Sequence, residues 1–304
     1  MLSIVVPAYF EEKNISHLYG EIVQALSQNK IEFEIIFVDD GSKDHTYEEI
    51  SKLANSDSRV VGLRLTRNFG HQIAILAGLN EAQGERIIMM DADGQHPPSM
   101  ILPLLEKMEE GYDIVNTVRE YARDAGFFKK RSSRLFYRLF NALSDVKIEK
   151  DSSDFRIMTR EALTAFLSID EQNRFTRGLV SWMGFRQSSL PYVAPERHSG
   201  QSKYSVRRMF SFAFEGLTAF SSKPLRISTY LGMIVLIFGI AYAIYAVVVY
   251  LMGASNPGWT SLLISILILG GTQLLILGII GEYIARIFTE SKRRPHYFIE
   301  KRTG

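Results

Sequence analysis

Over residues 1–117, short apolar runs alternate with stretches whose apolar positions recur every three or four residues. The runs at residues 2–9 (LSIVVPAY), 34–39 (EIIFVD), 60–65 (VVGLRL), 86–90 (RIIMM) and 113–117 (DIVNT) have the length of buried strands. Between them, residues 14–28 carry Ile15, Leu18, Ile22 and Leu26 at helical spacing, and residues 44–54 predict a helix with Asp44 as its N-cap. Residues 72–82 are apolar almost all round and predict a buried helix, whereas residues 99–110 predict an amphipathic one. Short apolar strands separated by helices predict an α/β, Rossmann-like domain with a mostly parallel sheet covered on both faces. Ligands of such folds sit beyond the carboxyl ends of the strands.

The pattern changes after about residue 125. Residues 127–143 (FFKKRSSRLFYRLFNAL) and 205–220 (SVRRMFSFAFEGLTAF) interleave aromatic and basic residues at helical spacing. They read either as core helices with solvated charges or as amphipathic helices in a membrane interface, and the neighbouring apolar region favours the second. From Ile227 to Gly281 there is no Asp, Glu, Lys, Arg or His. Residues 228–252 and 260–281 are each long enough to span, since about 20 residues cross a hydrocarbon core. The intervening GASNPG is a turn signal. Lys223 and Arg226 precede the first span, and Arg286, Lys292, Arg293 and Arg294 follow the second. The positive-inside rule then puts both ends of the hairpin in the cytoplasm, with Tyr230, Tyr250 and Trp259 as interfacial anchors. Four segments follow: a core at 1–125, a second part at 126–226 with interfacial helices, two spans within 227–285, and a basic cytoplasmic tail at 286–304.

Composition sharpens this division. The 304 residues carry a formal net charge of +2, which gives no support for nucleic-acid binding. Cysteine is absent, excluding disulfides, thiolate metal sites and cysteine nucleophiles. The start, MLSIVVPAYFEE, lacks a basic n-region and reads as a strand, so the part before the spans is expected in the cytoplasm.

Three loops carry candidate chemistry. Asp91-Ala92-Asp93-Gly94-Gln95 directly follows the RIIMM run. Two carboxylates at i and i+2 beyond a strand suit a hard divalent cation, and the Gln95 amide oxygen can add a neutral ligand. Asp39-Asp40-Gly41-Ser42 also follows a strand; its carboxylates can accept from a nucleobase or ribose, or the segment is simply a turn. Pro7-Ala8-Tyr9, with Glu11 and Glu12, ends the first run.

Together with FVDDGSKDHT, LTRNFGHQIAILAGL, MMDADGQHPP, DSSDFRIMTR, RFTRGLVSWMG, RHSGQSKYS and the final GGTQLLILGIIGEYIARIFTESKRRPHY, these stretches resemble glycosyltransferase family 2, with its GT-A fold. Within it they look like the polyprenyl-phosphate group, the bactoprenol glucosyltransferases and dolichol-phosphate mannose synthase. The resemblance covers almost the whole chain. It implies that Pro7, Ala8, Tyr9, Glu11, Asp39, Asp40 and Asp91 line a nucleotide pocket. Asp91, Asp93 and Gln95 would hold Mg²⁺ or Mn²⁺, with Asp93 and Asp154 as catalytic residues. Arg197, Ser202 and Lys203 would meet the donor phosphates, and Arg119, Lys130, Arg131 and Arg134 the acceptor phosphate. Asp154 can instead be an ion-pair partner of Arg156 or Arg160.

The implied reaction is inverting transfer of a sugar from a nucleotide donor to polyprenyl (undecaprenyl) phosphate at the bacterial plasma membrane, for cell-envelope glycans. UDP-glucose is the first choice of donor, with UDP-N-acetylglucosamine and GDP-mannose as competitors. Some relatives form tetramers, and Gly270, Gly271, Gly278 and Gly281 permit close helix contact. Two other readings compete. A processive polysaccharide synthase usually carries Gln-x-x-Arg-Trp, which is missing here. A non-catalytic membrane subunit would have no need of the Asp91, Asp93 and Gln95 set.

Overall fold

A computed structural model of the chain describes residues 1–120, 152–172, 174–193, 195, 223–252 and 258–304. They fall into two compact units, one of residues before 211 joined by 294–304, the other ending at Arg293.

The first unit is built on an eight-stranded sheet of order β7-β5-β6-β4-β1-β2-β3-β8. Its first four strands are β1 (Leu2–Ala8), β2 (Phe33–Asp39), β3 (Val60–Leu65) and β4 (Arg86–Met89). All four are parallel, as the apolar runs predict. Helices α1 (Ile15–Ser27), α2 (Thr46–Ser56), α3 (His71–Glu81) and α4 (Ile101–Glu109) lie between or after these strands. Strand alternation distributes them between two faces. Leu2, Ile4 and Val6 of β1 and Phe33, Ile35 and Phe37 of β2 join one core with Ile15, Leu18, Ile22 and Leu26 of α1 and Ile101, Leu104 and Met108 of α4. The opposite face carries α3, whose residues Ala74–Leu79 are all buried, as its all-round apolar pattern requires. Residue 78 has to be glycine there: a Cβ would lie 2.4 Å from Val5 Cγ1 and 3.0 Å from Val38 Cγ2.

Three features depart from the sequence expectation. The run at 113–117 becomes β5 (Ile114–Glu120), but it does not pair with β4. Between them lies β6 (Ser152–Thr159), antiparallel to both. The DSSDFRIMTR stretch is thus mainly a strand, followed by α5 (Arg160–Ser168). The second departure is in α2, which begins two residues later than expected. Asp44 Oδ1 accepts from the Thr46 amide, but the N-cap position belongs to His45. The third is the C-terminus. Within the expected basic tail at 286–304, Ile299–Thr303 forms β8, antiparallel to β3 at the sheet edge. Helix α6 (Thr176–Trp182) and β7 (Gln187–Val193), parallel to β5, complete the unit.

The second unit contains α7 (Lys223–Leu251) and α8 (Trp259–Ser291). Both are long and apolar enough to cross a membrane, over Leu225–Val249 and Ile264–Ser291. Helix α8 continues ten residues past the expected end of the second span at Gly281, through Glu282, Arg286 and Glu290. The amphipathic segments expected at 127–143 and 205–220 lie outside the described residues.

Because residue 78 has no room for a side chain, Gly78→Val should lower stability by about 1–3 kcal/mol through overpacking. A thermal midpoint equal to that of the parent protein would contradict this packing.

Candidate active site

The parallel strands end side by side, which gathers their following loops at one end of the sheet. Ala8 pairs with Asp39 at the last rungs of β1 and β2, and Val5 pairs with Met89 at the end of β4. Strand β6 runs the other way, so its beginning reaches the same end: Arg156 pairs with Met89. Residues Ser153 and Asp154, just before it, therefore stand beside the Asp91 loop. An antiparallel strand thus delivers Asp154 to a crevice otherwise built from parallel βα loops.

The β1 and β2 loops brace each other. Ser42 Oγ accepts from the Phe10 amide at 3.0 Å, and Thr46 Oγ1 accepts from the Glu11 amide at 3.0 Å. Phe10 takes a left-handed φ of 59°, and its ring meets that of exposed Tyr9 edge-on at 4.5 Å. Pro7 and Ala8 are the last residues of β1, whereas Glu11 lies in the turn before α1, its carboxylate accepting from the Asn14 side chain. Gly41 has φ +68°, and a Cβ there would lie 2.5 Å from the Arg67 carbonyl carbon, so only glycine lets the β2 and β3 loops approach this closely.

The adjacent Asp39 and Asp40 have different duties. Both are buried, and desolvation pushes both carboxyls above the usual range, against the hydrogen bonds that hold them down. Asp40 accepts from the Phe69 and Gly70 amides at 2.7 and 2.9 Å, one with each oxygen. Its carboxylate is consumed in shaping the loop before α3. Asp39 Oδ1 accepts from the Ser42 amide at 2.9 Å, while its buried Oδ2 accepts no hydrogen bond from the described residues. That oxygen stands 3.6 Å from Arg64 Nε, an ion pair without a hydrogen bond.

In the Asp91 loop, Asp93 Oδ1 accepts from the Gln95 amide at 3.0 Å, forming a tight turn. The Asp91 amide donates to His96 Nδ1 at 2.8 Å, which puts a ring proton on Nε2, 2.9 Å from Ser153 Oγ. The His96 ring stacks on Phe155 at 4.9 Å. The carboxylate loop is thereby pinned to the start of β6. Gln95 Oε1 accepts from Arg119 at 3.2 Å, so the amide oxygen expected on a cation is engaged by a guanidinium expected on the acceptor. Lys130, Arg131, Arg134, Arg197, Ser202 and Lys203 lie outside the described residues.

Asp154 is the most heavily engaged group. Arg177 of α6 donates to it from Nε at 3.0 Å and from Nη2 at 3.1 Å, a two-point pairing. The Arg156 guanidinium, itself buried, stands 3.5 Å away, and the Gln72 amide donates at 3.4 Å. Of the two partners left open by the sequence, Arg156 is beside Asp154 and Arg160 instead reaches the Gly84 carbonyl; the main partner, Arg177, was not among them. Burial by itself would raise the Asp154 carboxyl, but Arg177, Arg156 and His71 outweigh it and hold it well below the usual carboxylate range. Burial also lowers Arg156, to about 10, so both partners are charged at neutral pH. Since the folded value is depressed, the pair's contribution is present above the ~3.9 of an unfolded Asp and is lost as pH falls through the folded value.

His71, the first residue of α3, lies 3.4 Å from Asp91 and 3.9 Å from Asp154 through Nε2. It bridges the two carboxylate loops. His71, Gln72 and Arg177 are site residues that reasoning from single motifs missed. They sit in LTRNFGHQIAILAGL and RFTRGLVSWMG, stretches that carry the resemblance but contain no acidic pair to single them out.

Among the described residues no group of three His, Cys, Asp or Glu side chains forms a ready metal cage. Asp91 and Asp93 nevertheless fit a hard cation of the kind that takes one or two carboxylates and completes its shell with substrate phosphates and water.

The comparisons with known proteins agree with this architecture. Glycosyl transferase family 2 matches residues 3–166, and the GtrB C-terminal hairpin matches residues 223–287. The "Uncharacterized glycosyltransferase YkcC" of Bacillus subtilis (strain 168) is 43% identical over 99% of this chain and 94% of its own length. The "Bactoprenol glucosyl transferase" of Shigella phage SfV is 41% identical over 98% of each chain. The "Prophage bactoprenol glucosyl transferase homolog" of Escherichia coli (strain K12) is 39% identical over 99% of this chain and 98% of its own. The family model matches more than half of the chain, and relatives 39–43% identical match nearly all of it: the chain belongs to glycosyl transferase family 2.

Proposed function

We propose that this enzyme transfers a glucosyl group from UDP-glucose to polyprenyl phosphate at a membrane surface, with inversion. The observation that carries this reading is the Asp154–Arg177 pair. A carboxylate held by two guanidinium hydrogen bonds, and kept ionised by them, is poorly suited to take a proton from a sugar hydroxyl. An acceptor that is already an anion needs no such base. The apolar hairpin and the bactoprenol-acting relatives support a lipid phosphate as that anion.

In this reading an oxygen of the lipid phosphate attacks the anomeric carbon as its bond to the nucleoside diphosphate breaks, and the diphosphate leaves with the electron pair. Asp39 Oδ2 accepts from the base, and the Tyr9 ring offers a stacking face. Asp91 and Asp93 would hold Mg²⁺ or Mn²⁺, which supplies positive charge where the leaving diphosphate becomes more negative. His71 lies between Asp91 and Asp154 and keeps the diphosphate end and the sugar end of the site in register. Asp154 orients the sugar side through Arg177. Arg119 leads the acceptor phosphate toward the crevice, and Gln95 would reach the cation on exchanging its Arg119 contact. Lys130, Arg131 and Arg134 would add to acceptor capture, and Arg197, Ser202 and Lys203 to the donor phosphates.

The membrane arrangement follows the chain. Strand β7 precedes the hairpin and β8 follows it, and both belong to one sheet. Two crossings with both ends tied to one folded unit leave that unit on one side, and the flanking Lys and Arg favour the cytoplasm.

The test is transfer of labelled sugar from UDP-glucose, UDP-N-acetylglucosamine and GDP-mannose to undecaprenyl phosphate with Mg²⁺ or Mn²⁺. A β-linked glucosyl lipid from UDP-glucose is expected. An α-linked product would contradict inversion, and no product with any donor would favour a non-catalytic subunit. Asp93→Asn should lower turnover by at least about 10²-fold, the scale of losing one preorganised electrostatic contributor, while the protein still inserts into membranes. Normal turnover would remove the cation assignment.

A further inference from the structure

Strand β8 does more than extend the sheet. It pairs with β3 so that Leu65 faces Ile299 and Arg64 faces Lys301, with a register shift between them. Glu300 is therefore the extra residue of a β-bulge. Bulges of this kind re-aim a side chain, and Glu300 Oε2 comes to 3.3 Å from Arg64 Nε. The same Nε lies 3.6 Å from Asp39 Oδ2, and among the described residues it hydrogen-bonds to neither carboxylate, so both contacts are ionic attractions. The rest of the guanidinium is tied down: Nη2 donates to the Ser42 carbonyl at 3.0 Å, and the group lies over the Tyr47 ring at 5.6 Å. Lys301 approaches that ring too, at 6.0 Å.

Arg64 is thus shared by two carboxylates, one from β2 and one from the strand that follows the apolar hairpin. Were Glu300 uncharged, Asp39 would be the one carboxylate among the described residues left paired with the guanidinium. A shift of well under an ångström would then make Oδ2 its hydrogen-bond acceptor. That oxygen is the one the proposed function assigns to the nucleobase.

We propose that Glu300 is a positioning residue for the nucleotide donor: it draws Arg64 back from Asp39 and leaves the buried Oδ2 without an Arg64 hydrogen bond, so that it can accept from a base N–H. The C-terminal strand is in this way a working part of the nucleotide pocket. The inference rests on the reading of Asp39 as a base acceptor, and its test separates the two.

Binding of UDP, and in parallel GDP, is measured by calorimetry on the full chain in detergent with Mg²⁺, and the nucleotide bound by the parent protein is carried through the variants. Glu300→Gln, which keeps size and removes charge, should weaken binding by about fivefold, as expected for one acceptor partly occupied by a competing donor. Glu300→Asp, which keeps the charge, should restore most of that loss. Arg302→Gln removes another contact of the same strand, Arg302 to Glu81 at 3.0 Å. It should leave affinity unchanged if β8 acts through Glu300 and not through its mere attachment. In an Asp39→Asn background, Glu300→Gln should have no further effect, the non-additivity expected of directly coupled groups. Turnover at saturating donor should stay within about twofold in Glu300→Gln, because an effect confined to donor binding raises KM and leaves kcat.

Unchanged affinity in Glu300→Gln would overturn the inference. So would an equal loss in Arg302→Gln, or a full loss in the Asp39→Asn background. If Asp39→Asn itself binds as tightly as the parent, the assignment of Asp39 falls first and the Glu300 role falls with it. The same holds if neither nucleotide binds the parent.

Discussion

The two-point pairing of Arg177 with Asp154 is the interaction on which the rest of the site depends. It joins α6 to the beginning of β6 and fixes a charge in a buried place. Asp154 is buried, Arg177 is about one-third exposed, and Arg156 stands 3.5 Å from the same carboxylate, so the charge is compensated from two sides. That constraint holds Asp154 beside Asp91, with His71 between them, and it keeps Asp154 ionised. It also carries the mechanistic proposal: with this carboxylate committed to an arginine, the acceptor must bring its own negative charge. A lipid phosphate meets that need, and a neutral sugar hydroxyl does not.

Much of the fold is legible in the sequence because its strands are buried on both faces. Runs such as SIVV and EIIFV have no polar side to confuse the pattern, and the helices between them show clean periodicity or, for α3, none. The strands that escape notice do so for opposite reasons. Strand β6 carries Asp154 and Arg156 inside the protein, so a buried strand is disguised by the charges that serve the site. Strand β8, IEKRT, is an edge strand with an exposed, charged face, the composition that protects a sheet edge from pairing elsewhere and that reads from sequence as a solvated tail.

The candidate site was legible at its carboxylates and illegible in their division of labour. Asp39 and Asp40 are neighbours with the same side chain, yet Asp40 spends both oxygens on the Phe69 and Gly70 amides, while Asp39 Oδ2 accepts no hydrogen bond from the described residues and stands 3.6 Å from Arg64. Nothing in DDGS distinguishes them, since the amides that do so come from a loop thirty residues away. Likewise Gln95 and Arg119 are hydrogen-bonded to each other, a contact set by the pairing of β5 with β6 and invisible in either motif. Sequence identifies which chemical groups are present at the strand ends; the packing of loops decides which lone pairs remain for a ligand.

The central claim is that Asp154 works as an ionised anchor and never as a proton acceptor. The most direct measurement is the pH profile of turnover for the parent protein beside that for Asp154→Asn, with polyprenyl phosphate as acceptor. The account predicts profiles of the same shape, the variant lower at every pH, with any acid limb near pH ~6 set by the second ionisation of the acceptor phosphate and present in both. An acid limb seen in the parent and missing from Asp154→Asn would identify Asp154 as the base and contradict the account.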